Sequence, residues 1–239
     1  MQARYGLVRG LFHLVPTLRV GTQQTRPPFH PRAERGGEQK GHAAEGVGNE
    51  VALFSEGTMG TAREPQPVKL VVGMITAEPI WFDAARKALT TSYGPVDYES
   101  QTLPFDQTTY YDAEFGTPLW RRFMAFQKLI APDALPAIKH HTNSLEQTWI
   151  SEGRRRINLD PGYIALGKLV LATTKDYSHR LYLGQGIYGE VTLSYRAGTW
   201  QVWPWTYPDY RTPAYHAILS EIRTLYRQQL RGCGPASGA

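Results

Sequence analysis

A chain of 239 residues, 41% hydrophobic and 20% charged, is long enough for one globular domain with extensions and too apolar to be disordered throughout. No run of about 18 apolar residues occurs, so the sequence offers no membrane-spanning helix and no membrane partner. The formal charge of +5 is dispersed: residues 1–65 carry 8 Lys/Arg against 6 Asp/Glu and residues 66–230 carry 17 against 15, which argues weakly for nucleic acid.

Residues 1–65 lack apolar periodicity and are rich in Gly, Arg, Glu and His, so they read as a disordered or non-native extension, with Met59 as the expected true start. "LVRGLFHLV" is interrupted by Arg9 and His13 and makes a poor targeting segment. A single α+β domain is expected over 66–230 and a flexible tail over 231–239, which holds the only cysteine, Cys233. One cysteine forms no internal disulfide and no cysteine-based zinc site, and a cytoplasmic location is expected.

"VKLVVGMIT" (68–76) reads as a buried strand. Pro79 opens a helix with Phe82, Ala85, Leu89 and Tyr93 on one face and Gly94 as its stop. "VDYESQTLPF" (96–105) alternates like a strand and leads into a polar, aromatic loop at 106–118. "LWRRFMAFQKLI" (119–130) fits a helix by its spacing and a strand by its aromatic content. A firmer helix carries Leu135, Ile138, Thr142, Leu145 and Trp149. Then "RRINLD" (155–160) is a strand ending in the turn "DPGY", "KLVLATT" (168–174) and "TWQVWPW" (199–205) are strands, and Thr212-Pro213 starts a closing helix. With 119–130 as a strand, the opening is β-α-β-β-α-β, the ferredoxin-like arrangement. The expected fold is therefore α+β, with an antiparallel or mixed sheet extended by C-terminal hairpins.

"PVKLVVGMIT", "RRINLDPGY", "KLVLATTKDYSHRLYLGQGIYGEVTL" and "WTYPDYR" together resemble the bacterial and archaeal family called domain of unknown function 4416, from about Pro67 to Leu230. Some members of that family carry the label of GTP-binding protein. The nearest phosphate-loop match here, "GYIALGKL" (162–169), has Leu169 where a magnesium-binding hydroxyl belongs, and its intervening residues are apolar. It reads instead as a turn entering a core element, with Gly162 supplying a type II turn.

The stretch 173–190, "TTKDYSHRLYLGQGIYGE", concentrates the chemistry. A three-residue turn centred on Gln185 sets Arg180 opposite Glu190 and Tyr182 opposite Tyr188. Leu181, Leu183, Ile187, Val191 and Leu193 then form an apolar face, and Arg180, Tyr182, Tyr188, Glu190 and Thr192 a polar one. That polar face, with Lys175 beside it and Tyr110 on the 106–118 loop, suits a pocket for a small anionic or sugar-like ligand contacted by Lys175, Arg180, Tyr182, Tyr188, Glu190 and Tyr110. His179 is the acid–base candidate, with Asp176 and Asp160 to orient it. Arg180 and His179 are expected to be replaceable at the small cost of surface residues. His140 and His141 are adjacent on a helix and make a poor metal pair, so no metal site is expected, and no particular cofactor is implied. The alternative is a single-stranded nucleic-acid binder using Trp200, Trp203, Trp205, Tyr207 and Tyr210 with Arg154, Arg155 and Arg156.

Overall fold

The computed structural model describes residues 60–232. The expected start at Met59 and Cys233, with the tail after Gly232, lie outside them. Residues 60–67 are exposed. The first strand, β1 (Lys69–Thr76), is buried along its whole length. It lies between β4 (Trp120–Phe126) and β5 (Asn158–Ala165), antiparallel to both. Its even residues Leu70, Val72 and Met74 pack with Phe82, Ala85 and Leu89 of α1 (Ile80–Tyr93) and Ile138 of α3 (Leu135–Thr148). On the opposite face Val71 packs with Tyr215, Ile218, Leu219, Ile222 and Tyr226 of α4 (Pro213–Gly232). A strand covered on both sides needs apolar residues at both parities, hence the unbroken run in the sequence.

The same double cover explains why 119–130 fits two periods. Arg121, Phe123 and Ala125 of β4 face the α4 layer, while Met124 and Phe126 face α1 and α3, so burial erases the alternation. With β2 (Val96–Glu99) beside β4, the order β2-β4-β1-β5 realises the split βαββαβ opening. A short β3 (Leu103–Pro104) also pairs with β4. Beyond β5 the sheet continues through β6 (Lys168–Thr173), β8 (Ile187–Arg196) and β7 (Arg180–Gly184), while β9 (Thr199–Val202) pairs with β8 beyond β7. Every strand pairing among the described residues is antiparallel, and the fold is α+β.

The expected turn at "DPGY" is absent. Asp160, Pro161, Gly162 and Tyr163 all lie inside β5, and the turn comes at Leu166–Gly167. Gly162 is needed for closeness rather than for positive φ: a Cβ there would sit 2.3 Å from the Val170 carbonyl oxygen. β5 pairs with β6 only from Gly162 to Ala165. Pro161 has no N–H to extend that ladder, and the two strands part.

Past that point the β6 side of β5 is served by a helix. Glu146 Oε1 accepts from the Leu159 N–H (2.6 Å), and Lys139 Nζ donates to the Leu159 carbonyl (3.0 Å). Lys139 and Glu146 lie two turns apart on one stripe of α3, so they reach one backbone edge and supply bonds a strand would have made.

The hairpin also differs from expectation at its tip. Arg180 does face Glu190, and Tyr182 faces Tyr188, but Gly184 pairs with Ile187. Only Gln185 and Gly186 form the turn, both at positive φ as a type I′ turn requires, and Leu183 is the extra residue of a bulge. The bulge restores the register that a two-residue turn alone would break. Burial does not follow the expected parity along the hairpin: Ile187 and Leu193 are buried as an apolar face requires and Tyr182 is exposed, but the pattern breaks at the start of β7. Leu181 is 73% exposed, whereas Arg180 and Glu190 are buried.

Candidate functional site

The parting of β5 from β6 opens a cleft of about 750 Å³. Asn158 and Asp160 of β5 line one wall, Leu171, Ala172 and Thr173 of β6 the other, and Arg121 of β4 the floor. Tyr110 and Tyr111 come from the 106–118 segment, and Tyr207 to Tyr210 from the segment before α4. That volume lies within the range of sites that take a whole small molecule.

Arg121 sits on the same face of the sheet as Asp160, because β1 places Ile75 opposite Arg121 and Gly73 opposite Asp160. Its side chain is 2% exposed. Nη2 donates to Asp209 (2.6 Å) and Nε to the Tyr215 hydroxyl (3.2 Å). The rings of Phe105, Phe123, Tyr210 and Tyr215 surround the guanidinium at 5.1 to 5.6 Å. A Cβ on Gly73 would lie 2.9 Å from Nη1, so the bare glycine makes room for this end of the group. Nη1 itself finds no acceptor among the described residues, and Asp160 Oδ2 stands 3.8 Å from it. A buried donor left unmatched costs about 1–3 kcal/mol, which makes this the most unusual polar group in the cleft.

Asp160 is held from the other side by Asn158, whose Nδ2 donates to Oδ2 (2.7 Å). Arg155 fixes that amide by donating to its oxygen (3.0 Å), and itself pairs with Glu114 and Glu146. Burial raises the Glu146 carboxyl above its ordinary pKa, outweighing the pull of Lys139, the Leu159 N–H and Arg155.

At the cleft wall, His179 lies 3.1 Å through Nε2 from Glu190 Oε2. A carboxylate accepts only, so Nε2 is the donor of this pair and Nδ1 is the nitrogen left for another partner. The ring stacks on Trp205 at 5.2 Å and 13°, which fixes its plane. Glu190 also accepts from Arg180 Nε (2.9 Å). Arg180 donates further to the Lys175 carbonyl (3.0 Å) and the Tyr207 hydroxyl (2.8 Å). Burial and the charge of Glu190 push Tyr207 up to about 12 against the pull of Arg180, so its hydroxyl stays protonated at neutral pH.

Six of the nine candidates from the sequence therefore meet at one cleft: Asp160, Lys175, His179, Arg180, Glu190 and Tyr110. Lys175 Nζ reaches the Tyr110 hydroxyl (2.7 Å), joining the hairpin side to the 106–118 segment. Tyr182, Tyr188 and Asp176 do not line it. Tyr182 and Tyr188 pack edge to face near the hairpin tip, where the Tyr182 hydroxyl accepts from the Gly186 N–H. The carboxylate beside His179 is Glu190 rather than Asp176 or Asp160, because strand pairing sets Glu190 beside the start of β7 whereas Asn158 holds Asp160. Arg121, Lys139 and Asn158 escaped the sequence reading. Only the buried cation within "LWRRFMAF" signalled Arg121, and the undecided strand or helix assignment hid its direction.

Four residues of the nucleic-acid reading, Arg155, Trp205, Tyr207 and Tyr210, line this same cleft. Trp200 and Tyr210 are buried in the core, Trp203 stacks on Trp205, and Arg155 and Arg156 are engaged by carboxylates.

Residues 66–226 match the family described as Domain of unknown function (DUF4416), and the chain belongs to it. No curated protein matches the chain, and no solved structure does.

Proposed function

We propose that this member of the DUF4416 family binds a small anionic ligand in the β5–β6 cleft, with His179 placed to move a proton on it. Arg121 carries the reading: a buried guanidinium lining the cleft with a donor for which no described residue provides an acceptor. The wall residues support it, since five Lys and Arg side chains stand against four carboxylates. Arg180, with three donors already engaged, acts as the brace of the His179–Glu190 pair, and Arg121 replaces it as the anion anchor. His179 has the geometry of a general base: a buried carboxylate on one nitrogen, a stacked ring, and the other nitrogen available.

The test is native mass spectrometry of the purified chain, followed by titration of its thermal midpoint with citrate and with inorganic phosphate. The expected result is a saturable rise with at least one of them. Arg121→Lys keeps the charge but loses the forked donor set, and should weaken binding about tenfold or more. A flat response to both anions, with no copurified anion, contradicts the reading.

A further inference from the structure

The 3.8 Å gap between Arg121 Nη1 and Asp160 Oδ2 carries a more specific statement about the ligand. Opposite charges this close in a sheltered site would ordinarily close to direct contact. Here both ends are tethered elsewhere. Asp209 and Tyr215 hold the guanidinium within its aromatic cage, and Asn158 holds the carboxylate. Lys139 Nζ stops 3.7 Å from the other oxygen, Oδ1, because it is committed to the Leu159 carbonyl. The floor thus presents a buried, unmatched donor beside a carboxylate oxygen that keeps a lone pair beyond its bond from Asn158, the two being too far apart to satisfy each other.

A group that accepts from Nη1 and donates to Oδ2 through one oxygen fills such a gap, since two hydrogen bonds of about 2.8 Å span it as two sides of a triangle. A hydroxyl has both capacities, whereas a carboxylate or phosphate oxygen at neutral pH has only the first and would be repelled by Asp160. Aromatic side chains line the same cleft, Tyr110, Tyr111, Tyr177, Trp205 and Tyr207 among them, and such rings suit the apolar C–H faces of a polyol. A bare inorganic anion would leave most of about 750 Å³ empty.

We infer that the ligand is a hydroxylated anion of the sugar-acid or sugar-phosphate kind, with one hydroxyl seated between Arg121 and Asp160 and its anionic group held by other cations of the cleft. This rests on the anion-binding reading above. Lys175 is suited to the anionic end, because Tyr110 is its only side-chain partner among the described residues and both are exposed.

Matched pairs test it by calorimetry on the whole chain: gluconate against hexanoate, and glycerol 3-phosphate against propyl phosphate. In at least one pair the hydroxylated member should bind about tenfold or more tightly, and the pair that responds identifies the anionic group. Asp160→Ala should abolish that preference. It should leave the unhydroxylated member bound as well or better, because a repelling carboxylate is gone. If Asp160→Ala does not fold, Asp160→Asn should reduce the preference in the same direction. Equal affinities within both pairs, or a preference that survives loss of Asp160, overturn the hydroxyl assignment while leaving anion binding intact. Failure of all four compounds to bind overturns both.

Discussion

Arg180 shows how far one residue's meaning depends on its surroundings. The sequence pairs it correctly with Glu190 and treats the pair as solvated. In the structure both side chains are almost fully buried, and Glu190 serves Arg180, His179 and Thr192 together. An exposed cross-strand pair contributes a few tenths of a kcal/mol, whereas removing one partner of a buried pair strands the other charge. Arg180→Ala should therefore lower the stability by about 3–5 kcal/mol in urea unfolding, and His179→Ala by clearly less. Equal and small losses for the two variants would falsify the buried-brace role of Arg180. The expectation that both positions tolerate alanine as surface residues is corrected for Arg180, because at the start of β7 its side chain is buried against Glu190 at the cleft wall, whereas Tyr182 further along the strand is exposed.

At the scale of elements, α3 does two jobs. Its Ile138 packs on the sheet, as its periodicity says, while Lys139 and Glu146 complete the free edge of β5. The raised pKa of Glu146 shows that its charge is held at a cost. A raised folded value stabilises fully below the unfolded pKa of about 4.5, and that contribution is lost as pH rises through the folded value. Glu146→Gln keeps an acceptor for the Leu159 N–H and does not titrate. Its stability relative to wild type should therefore improve between acid and neutral pH, followed by chemical unfolding across that range. A difference that stays constant or moves the other way would show that Arg155 and Lys139 fully offset the burial of this carboxylate. Nothing in the local sequence announces this role: the two residues look like an ordinary polar pair on a helix, and the edge they serve is supplied by a strand parted from its neighbour.

For the whole molecule, phenols buried in both layers and in the cleft set an alkaline limit. Burial raises Tyr93 to about 12, and also raises Tyr210, Tyr215 and Tyr226. Their contribution is complete below the unfolded tyrosine pKa of about 10 and is lost as pH rises through the folded values. Lys69, buried beneath α4 against Asp97 and Gln229, has the opposite sense: burial lowers it against the pull of Asp97, so its contribution grows as pH rises toward about 10.5. The thermal midpoint should thus hold up to about pH 10 and fall steeply above about 10.5, together with a cooperative rise in tyrosinate absorbance. Ionisation of every tyrosine in the still-folded protein, with no loss of midpoint, would contradict the burial of these rings.

The sequence by itself determined most of the frame. The apolar run of β1, the stripes of α1, α3 and α4, the Gly94 stop and the Thr212 cap are local patterns set by periodicity and backbone preference, and such patterns survive without knowledge of neighbours. It also pointed to the 173–190 stretch and the 106–118 segment, both of which supply residues to one cleft, because an unusual density of polar groups is visible in composition alone. Only the tertiary structure decided where the site opens and what anchors it. The cleft exists because Gly162 lets β5 and β6 touch while Pro161 ends their ladder, and Arg121 lies at its floor because Gly73, on a different strand, has no side chain. Those are relations between residues far apart in the chain. A hydrogen-bond donor left without a partner can be recognised only once every neighbour is in place.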